Sequence, residues 1–234
     1  FLGGGDNEPP AVWLGGGGDA RKISSREIDD VLRLYPDDDL ADVVLEARAD
    51  RSHQFLYIHL PDKTLVYDGE ASASMEQPVW FVLQSGATPG GYRARGMVWC
   101  YNRWNVADPF GTKIGYLTDD VGSHYGDLTV WSFSTPIIYN AGKGVQVHEL
   151  ELVALTGDVA IDDDPVIASQ YSLDGERWSQ PRYIRAGRKG ELSKRLVWDR
   201  QGTFTNWRIQ RFSGDSRAHI AFARLEAEME MLAR

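Results

Sequence analysis

Short runs of β-branched and aromatic residues, each halted by proline, glycine or aspartate, recur along most of this chain and constrain its fold more than any other feature. The stretch FLYIHLPDKTLVYD carries Phe55 and Tyr57, then Leu65 and Tyr67, on either side of Pro61, Asp62 and Lys63. Such side chains suit a pleated, half-buried surface, and a Pro-Asp turn reverses the chain, so the spacing predicts an antiparallel hairpin. A similar unit recurs at VWCYNRWNVADPFGTKIGYLTDD, two apolar strands around an Asp-Pro and glycine turn, closed by Asp119 and Asp120. Serial hairpins of this size fit a propeller or a meander better than a parallel sheet.

Further along, VWSFSTPIIYN and VQVHELELVALTG predict two long neighbouring strands, with Pro136 at a bulge or an edge. Beyond the loop of Asp162, Asp163, Asp164 and Pro165, the segments IASQYSLDGERW, RYIRAG, KRLVWD, NWRIQRF and HIAFARLEAEMEML predict a second antiparallel module. Alternation of Leu225, Ala227, Met229 and Met231 assigns the last of these as a strand, against the helical preference of its Glu, Ala, Met and Leu residues. One helix is expected, from about 25 to 34: Ser24 with Glu27 reads as a capping box, and Ile28, Val31, Leu32 and Tyr35 follow at helical spacing before Pro36. Asp37, Asp38 and Asp39 read as a turn.

The expected fold is therefore all-β and antiparallel, with β-propeller-like hairpins, a carboxyl-terminal β module and one short helix. Its divisions are expected at 1–22, a flexible glycine-rich lead-in with one short strand at most; 23–160, the propeller-like region containing the helix; and 161–234, the second antiparallel module. With 234 residues, either one large domain or two small ones can bury a core without disulfides. The single cysteine, Cys100, permits no intramolecular bridge and is expected to be a packed thiol. No run approaches the roughly 18 apolar residues that span a bilayer, and no signal peptide is read at the start, so a soluble chain is expected. The first residue, Phe1, points to preceding sequence that is absent here.

A formal charge of −9 disfavours indiscriminate binding to phosphate backbones. Between Arg182 and Arg211, however, nine basic residues face only Glu191 and Asp199. Arg182, Arg185, Arg188, Lys189, Lys194 and Arg195 form the candidate docking patch in that stretch, with a solvated strand face as the plainer alternative.

Patterns of catalysis find better structural explanations. The five histidines, His53, His59, His124, His148 and His219, lack ligand spacing, and no Gly-x-Ser-x-Gly elbow occurs. The GGGG run at 15–18 precedes Asp19 and Ala20 rather than a phosphate-binding Lys-Ser or Lys-Thr. Acidic pairs and triplets sit in turns, where aspartate bonds the local backbone, and none has the spacing of a calcium loop. Neither catalytic residues, a metal nor a cofactor is expected. In SLDGERW, Ser172, Asp174, Gly175 and Trp178 nearly reproduce an Asp-box hairpin: Asp174 and Gly175 make the turn, Ser172 bonds across it and Trp178 packs beneath. Trp80, Trp99, Trp104 and Trp131 are read as core residues, to be reconsidered as sugar platforms only if exposed.

Taken in order, ISSREIDDVL, QFLYIHLPDKTLVYD, GYLTDDVGSHYG, FSTPIIYNAGKGVQVHELELVALTG and YSLDGERWSQPRYIRAGRKGELSKRLVWDRQGTF resemble the packaged-DNA stabilisation, or tail-hub, proteins of short-tailed bacteriophages. The resemblance runs from about Trp13 to the carboxyl end. It departs from the family at the glycine-rich start and in LSKRLVWDRQGTFTNWRIQRF, which lacks the usual Leu-Gly-x-Ala-Arg. It implies a non-enzymatic structural virion component, a β-propeller hub whose copies form a ring that closes the portal and adaptor channel. Implied partners are the head-to-tail adaptor and the tail needle or fibre proteins, with DNA met at most by proximity to the channel. The implied location is the short tail of the virion, after synthesis in host cytoplasm. Two other readings stand beside it: a carbohydrate-binding or glycan-degrading tail protein, and a β-sandwich interaction module unrelated to phage.

Overall fold

The computed structural model describes residues 1–4, 8–88, 90–161, 163–215 and 217–232. The chain separates into two units, Phe1–Leu117 and Thr118–Arg234.

In the first unit, β1 (Leu2–Gly3), β2 (Ala11–Gly16) and β3 (Asp19–Lys22) form one antiparallel sheet in that order. The glycine-rich opening thus carries more strand than its composition predicts. The Phe1 amino group donates to the Trp13 carbonyl at 2.8 Å, and β2 turns into β3 through Gly17 and Gly18, whose φ angles of 63° and 95° suit glycine. Residues 5–7 of the lead-in lie outside the described residues.

Next come α1 (Arg26–Leu32) and α2 (Asp37–Ala41). The cap of α1 is Ser25, whose side chain accepts from the Ile28 N–H, rather than the expected Ser24. Ser24 is buried instead: its hydroxyl accepts from the Val12 N–H at 3.0 Å and donates to Asp29 at 2.6 Å, tying the helix to β2. The acidic run at Asp37–Asp39 begins a short helix after Pro36, with its carboxylates in the first turn, where the helix dipole favours them.

A four-stranded meander follows, made of β4 (Val44–Asp50), β5 (His53–His59), β6 (Thr64–Asp68) and β7 (Val79–Leu83). The predicted hairpin is its central pair, in register from Phe55↔Asp68 to His59↔Thr64. Between β6 and β7 lies α3 (Gly69–Met75), capped by Asp68 and ended at Glu76 in the left-handed region. Val12, Ile28, Leu32, Ile58 and Leu65 share one core cluster, so both sheets and the first helix bury apolar surface together. The second predicted hairpin belongs to a three-stranded sheet of β8 (Arg95–Cys100), β9 (Arg103–Ala107) and β10 (Ile114–Tyr116). Tyr101 and Asn102, both at positive φ, reverse the chain between β8 and β9.

The second unit contains β11 (Val130–Ser134), β12 (Ile138–Tyr139), β13 (Val145–Val159), β14 (Val166–Ser172), β15 (Arg182–Arg185), β16 (Val197–Phe204), β17 (Trp207–Asp215) and β18 (Ala218–Met231). One sheet runs β11-β17-β14-β15, with β12 also on β17; the other runs β16-β13-β18. A division between 160 and 161 would therefore cut β13 from both of its partners. The expectation that VWSFSTPIIYN and VQVHELELVALTG are two long neighbouring strands also fails: the first run is split into β11 and β12, which bond to β17, whereas the second, β13, lies in the other sheet. Pro136 falls in the break between β11 and β12, where no ladder hydrogen bond is asked of it. Leu152, Ile167, Leu196, Trp198 and Phe212 fill the core between the sheets. The disputed carboxyl-terminal segment is a strand, with Leu225 and Met229 turned to the core beside Val145, Val147 and Leu150.

Candidate functional site

Groups capable of chemistry are mostly engaged with one another. His59 Nε2 lies 2.7 Å from Glu46 Oε2 and its Nδ1 lies 2.9 Å from Thr64 Oγ1. Such a line of hydroxyl, imidazole and carboxylate resembles a nucleophile relay, but Thr64 is 0 % exposed and no substrate can reach its oxygen. Neutral His59 satisfies both bonds, accepting from Thr64 and donating to Glu46, and burial holds its pKa below the ordinary value. The other oxygen of Glu46 accepts from the Met97 N–H at 2.9 Å, so the same carboxylate joins β4 to β8.

The remaining histidines pair singly. His53 meets Asp68 at 2.7 Å, His219 meets Asp158 at 3.3 Å, and His148 lies 3.7 Å from Glu230. Main-chain bonds join His124 to Asp127. Among the described residues, no three His, Cys, Asp or Glu side chains are grouped to hold a metal. A polar depression of about 620 Å³ in the second unit is lined by Asp120, Ser123, Asp158, Asp163, Arg217 and His219. Asp162 of the acidic triplet lies outside the described residues.

Ser172, Asp174 and Gly175 are brought together in one turn after β14. Ser172 Oγ lies 3.1 Å from Asp174 Oδ1 and accepts from the Gly175 N–H at 2.9 Å, while Asp174 Oδ1 also accepts from Glu176 and Arg177 N–H at 2.9 and 2.7 Å. These backbone donors, with that of Arg177 foremost, hold the Asp174 carboxyl below its ordinary pKa. Gly175 has φ 81°, and the ring nearest the position its Cβ would take is Trp207, at 3.7 Å. Trp178 instead lies against Arg211, whose guanidinium carbon is 3.8 Å from the ring centre.

The basic stretch is less free than its composition implies. Arg185 and Arg188 both reach Asp164, at 2.6 and 3.4 Å, and Lys194 lies 3.5 Å from Glu191. Arg195 pairs with Glu149 and Glu151, and Arg182 Nη1 donates to the main-chain oxygens of Asp199 and Arg200. Hydrogen bonding to Glu151 strengthens the hold of Arg195 on its proton. Exposed pairs of this kind contribute little stability but cancel much of the patch's field.

Of the four tryptophans weighed as platforms, Trp99 is the exposed one, at 53 %, edge-on to Trp104 with ring centres 5.4 Å apart. Trp80 donates Nε1–H to the Ile23 carbonyl, and Trp131 donates to that of Asp215. Sequence reasoning missed Arg208, a 2 % exposed guanidinium held by Gln201 and Gln210 and lying 4.2 Å from the Tyr171 ring centre. The basic run had included it among surface charges; only its place in the alternation of β17, with Gln210 and Phe212, marked it as inward. Within the described residues no helix is long and apolar enough to cross a membrane.

Comparison with known proteins accounts for both units. Residues 1–122 match the family described as bacteriophage P22 Gp10, beta-propeller, and residues 130–230 match bacteriophage P22 Gp10, beta-sandwich. The chain is 29 % identical over 205 residues to a protein of Salmonella phage P22 named tail hub protein gp10, an alignment covering 88 % of this chain and 41 % of that protein. The chain thus matches less than half the length of that relative. With an antiparallel propeller-type unit followed by a sandwich, in the order of the two matches, the chain belongs to the bacteriophage P22 Gp10 family.

Proposed function

We propose that this chain is part of a structural tail hub of a short-tailed bacteriophage or prophage. Copies of it would form a ring beneath the portal and adaptor, close the channel, help retain packaged DNA and seat the tail needle or fibres. The observation that carries this reading is the match of both units, in order, to the family of a protein named a tail hub. Such a part would join the virion after synthesis in host cytoplasm.

Physical chemistry supports the assignment. Ionisable groups here serve as caps, clamps and turns, as Glu46, Asp174 and Arg208 illustrate, which is what a rigid assembly part needs. A net charge of −9 disfavours gripping a phosphate backbone, so DNA can pass a channel lined by such a protein without sticking. Arg182, Arg185, Arg188, Lys194 and Arg195 are proposed to exchange their internal partners for acidic groups of a neighbouring subunit on assembly, with Lys189 part of the same docking patch. The Ser172, Asp174, Gly175 and Trp178 hairpin is proposed to be a folding element without a binding role.

Removal of the encoding gene tests the reading. Heads should fill with DNA and then lose it, and supplying the protein in trans should restore DNA-containing, tailed particles. Stable, infectious particles without the protein would refute a hub role. A glycan reading rests on Trp99; a glycan-array signal abolished by Trp99→Ala would favour it instead.

A further inference from the structure

The two edges of the sandwich differ in charge. Trp198 on β16 donates Nε1–H to the Arg182 carbonyl on β15 at 2.9 Å, while Trp131 on β11 packs against Phe222 on β18 with ring centres 4.9 Å apart. β15 thus lies over β16 at one edge and β11 over β18 at the other, each strand ending its sheet among the described residues.

At the β18 edge the register sets like charges side by side. Glu149↔Glu228 and Glu151↔Glu226 stand directly opposite on the outer face, and Asp199 on β16 extends the first row. Carboxylates so placed repel, and the sheet loses stability by it. Nearby cations answer only part of this charge. Arg195 pairs with Glu149 and Glu151, Arg224 pairs with Glu226, and His148 lies 3.7 Å from Glu230. Glu228 meets no cation among the described residues.

The β15 edge is the converse. The side chains of Arg185 and Arg188, 63 % and 65 % exposed, share a single carboxylate, that of Asp164. Lys189 follows them, exposed, and meets no carboxylate among the described residues. Within one copy the two edges face away from each other and leave this charge unanswered. Side by side, two copies bring them together.

We propose that the β18 edge of one copy docks against the β15 edge of the next, with Glu226, Glu228 and Glu230 meeting Arg185, Arg188 and Lys189. The occupant is a second copy because the countercharge is the chain's own and stands at the edge that cannot fold back onto β18. A glutamate at every second position from 226 to 230 also turns added strands away, so a further strand of the same polypeptide is a poor cover for this edge. Unlike edges meeting make a heterologous contact, which repeats round a ring where its rotation closes. That ring rests on the hub reading, whereas the contact rests on the two edges.

Cross-linking reads the contact directly. Heavy-nitrogen and ordinary copies of the 234-residue chain are mixed at about 1 mM in about 20 mM salt and treated with a zero-length carbodiimide. Mixed-isotope links from Lys189 to Glu226, Glu228 or Glu230 are expected, falling at least about tenfold in about 0.5 M salt. Charge reversal gives a second readout, by sedimentation. Glu226→Lys with Glu228→Lys and Glu230→Lys, and separately Arg185→Glu with Arg188→Glu and Lys189→Glu, should each abolish self-association. An equimolar mixture of the two variants should restore it, since each then meets edges of opposite charge.

Wild-type copies that give no such links, free or on the portal–adaptor complex, would overturn the proposal. Reversal variants that associate normally, or a mixture that stays apart, would do the same. An acidic-edge variant that melts at a lower temperature yet associates as before would assign those carboxylates to the fold instead. Titration onto the portal–adaptor complex separates the two readings: joining without the links refutes this contact alone, and links without joining refute the hub alone.

Discussion

Arg208 on β17 reaches across the sandwich to Gln201 on β16, donating from Nη1 to the main-chain oxygen at 2.7 Å and from Nη2 to Oε1 at 3.1 Å. A backbone bulge makes the meeting possible. The register of β13 with β16 steps from Val147↔Gly202 to Glu149↔Asp199, and Arg200 and Gly202 take φ angles of 53° and 79° on either side of Gln201. Gln210 Oε1 accepts from the same guanidinium at 2.6 Å, and its Nε2 donates to Ser169 at 2.6 Å. The acceptors around Arg208 are thus neutral amide oxygens, and burial lowers its pKa to about 10. Arg208→Met should cost about 2–4 kcal/mol, because Gln201 and Gln210 lose their donors while buried. Urea unfolding measures the loss, and a double-mutant cycle with Gln201→Ala should give a coupling of about 1–2 kcal/mol.

His59 supplies a pH dependence in the first unit. Burial lowers its pKa, opposed by the Glu46 hydrogen bond and reinforced by the charge of Arg95. The unfolded chain takes up this proton from about pH 6.5 downward, the folded chain only at lower pH. The contribution of neutral His59 is therefore fully present above about pH 6.5 and is lost as pH falls through the folded value. Urea titrations at pH 8, 6 and 5 should show a steeper decline for the native protein than for His59→Gln.

Asp174 behaves in the same direction at lower pH. Its carboxylate accepts from the Glu176 and Arg177 N–H groups, which keeps its pKa below the usual carboxyl value. Protection of those two amides should be complete above about pH 4 and fall away as pH drops through the lower folded value. In Asp174→Ala both amides should exchange faster at neutral pH, as hydrogen–deuterium exchange would register.

Gly214 is required by Trp131. A Cβ at position 214 would stand 2.6 Å from Trp131 Cζ2, and that ring also packs against Phe222 with centres 4.9 Å apart. Gly214→Ala should destabilise the sandwich by about 1–3 kcal/mol through overpacking. Adding Trp131→Leu should recover part of that loss in thermal melts, since the ring that clashes is gone.

Much of this architecture was readable where a local pattern and a global need coincide. Phe55 to Asp68 holds strand residues on both sides of a proline turn, and the structure pairs them as expected. The loose alternation of VQVHELELV was itself a signal: Val145 and Val147 are buried, then Leu150 and Leu152, because the bulge at His148 shifts the inward face by one residue. Strand partners were harder to read. The two runs around Pro136 adjoin β13 in sequence, yet β13 bonds to β16 and β18, from the end of the chain, since sandwich pairing depends on long-range contacts. The docking patch was legible as composition only. Glu149, Glu151 and Asp164, which neutralise Arg195, Arg185 and Arg188, lie 21 to 46 residues away. Buried Arg208 was hidden for the opposite reason, as one more basic residue in a basic run.

Light scattering of the protein alone and mixed with the portal–adaptor complex proposed as its partner tests the central claim most directly. The account predicts that several copies join the complex in fixed stoichiometry, even if the free protein is monomeric, since the adaptor can template the ring. A protein that stays unassociated at every ratio, with the portal–adaptor complex intact, would contradict it.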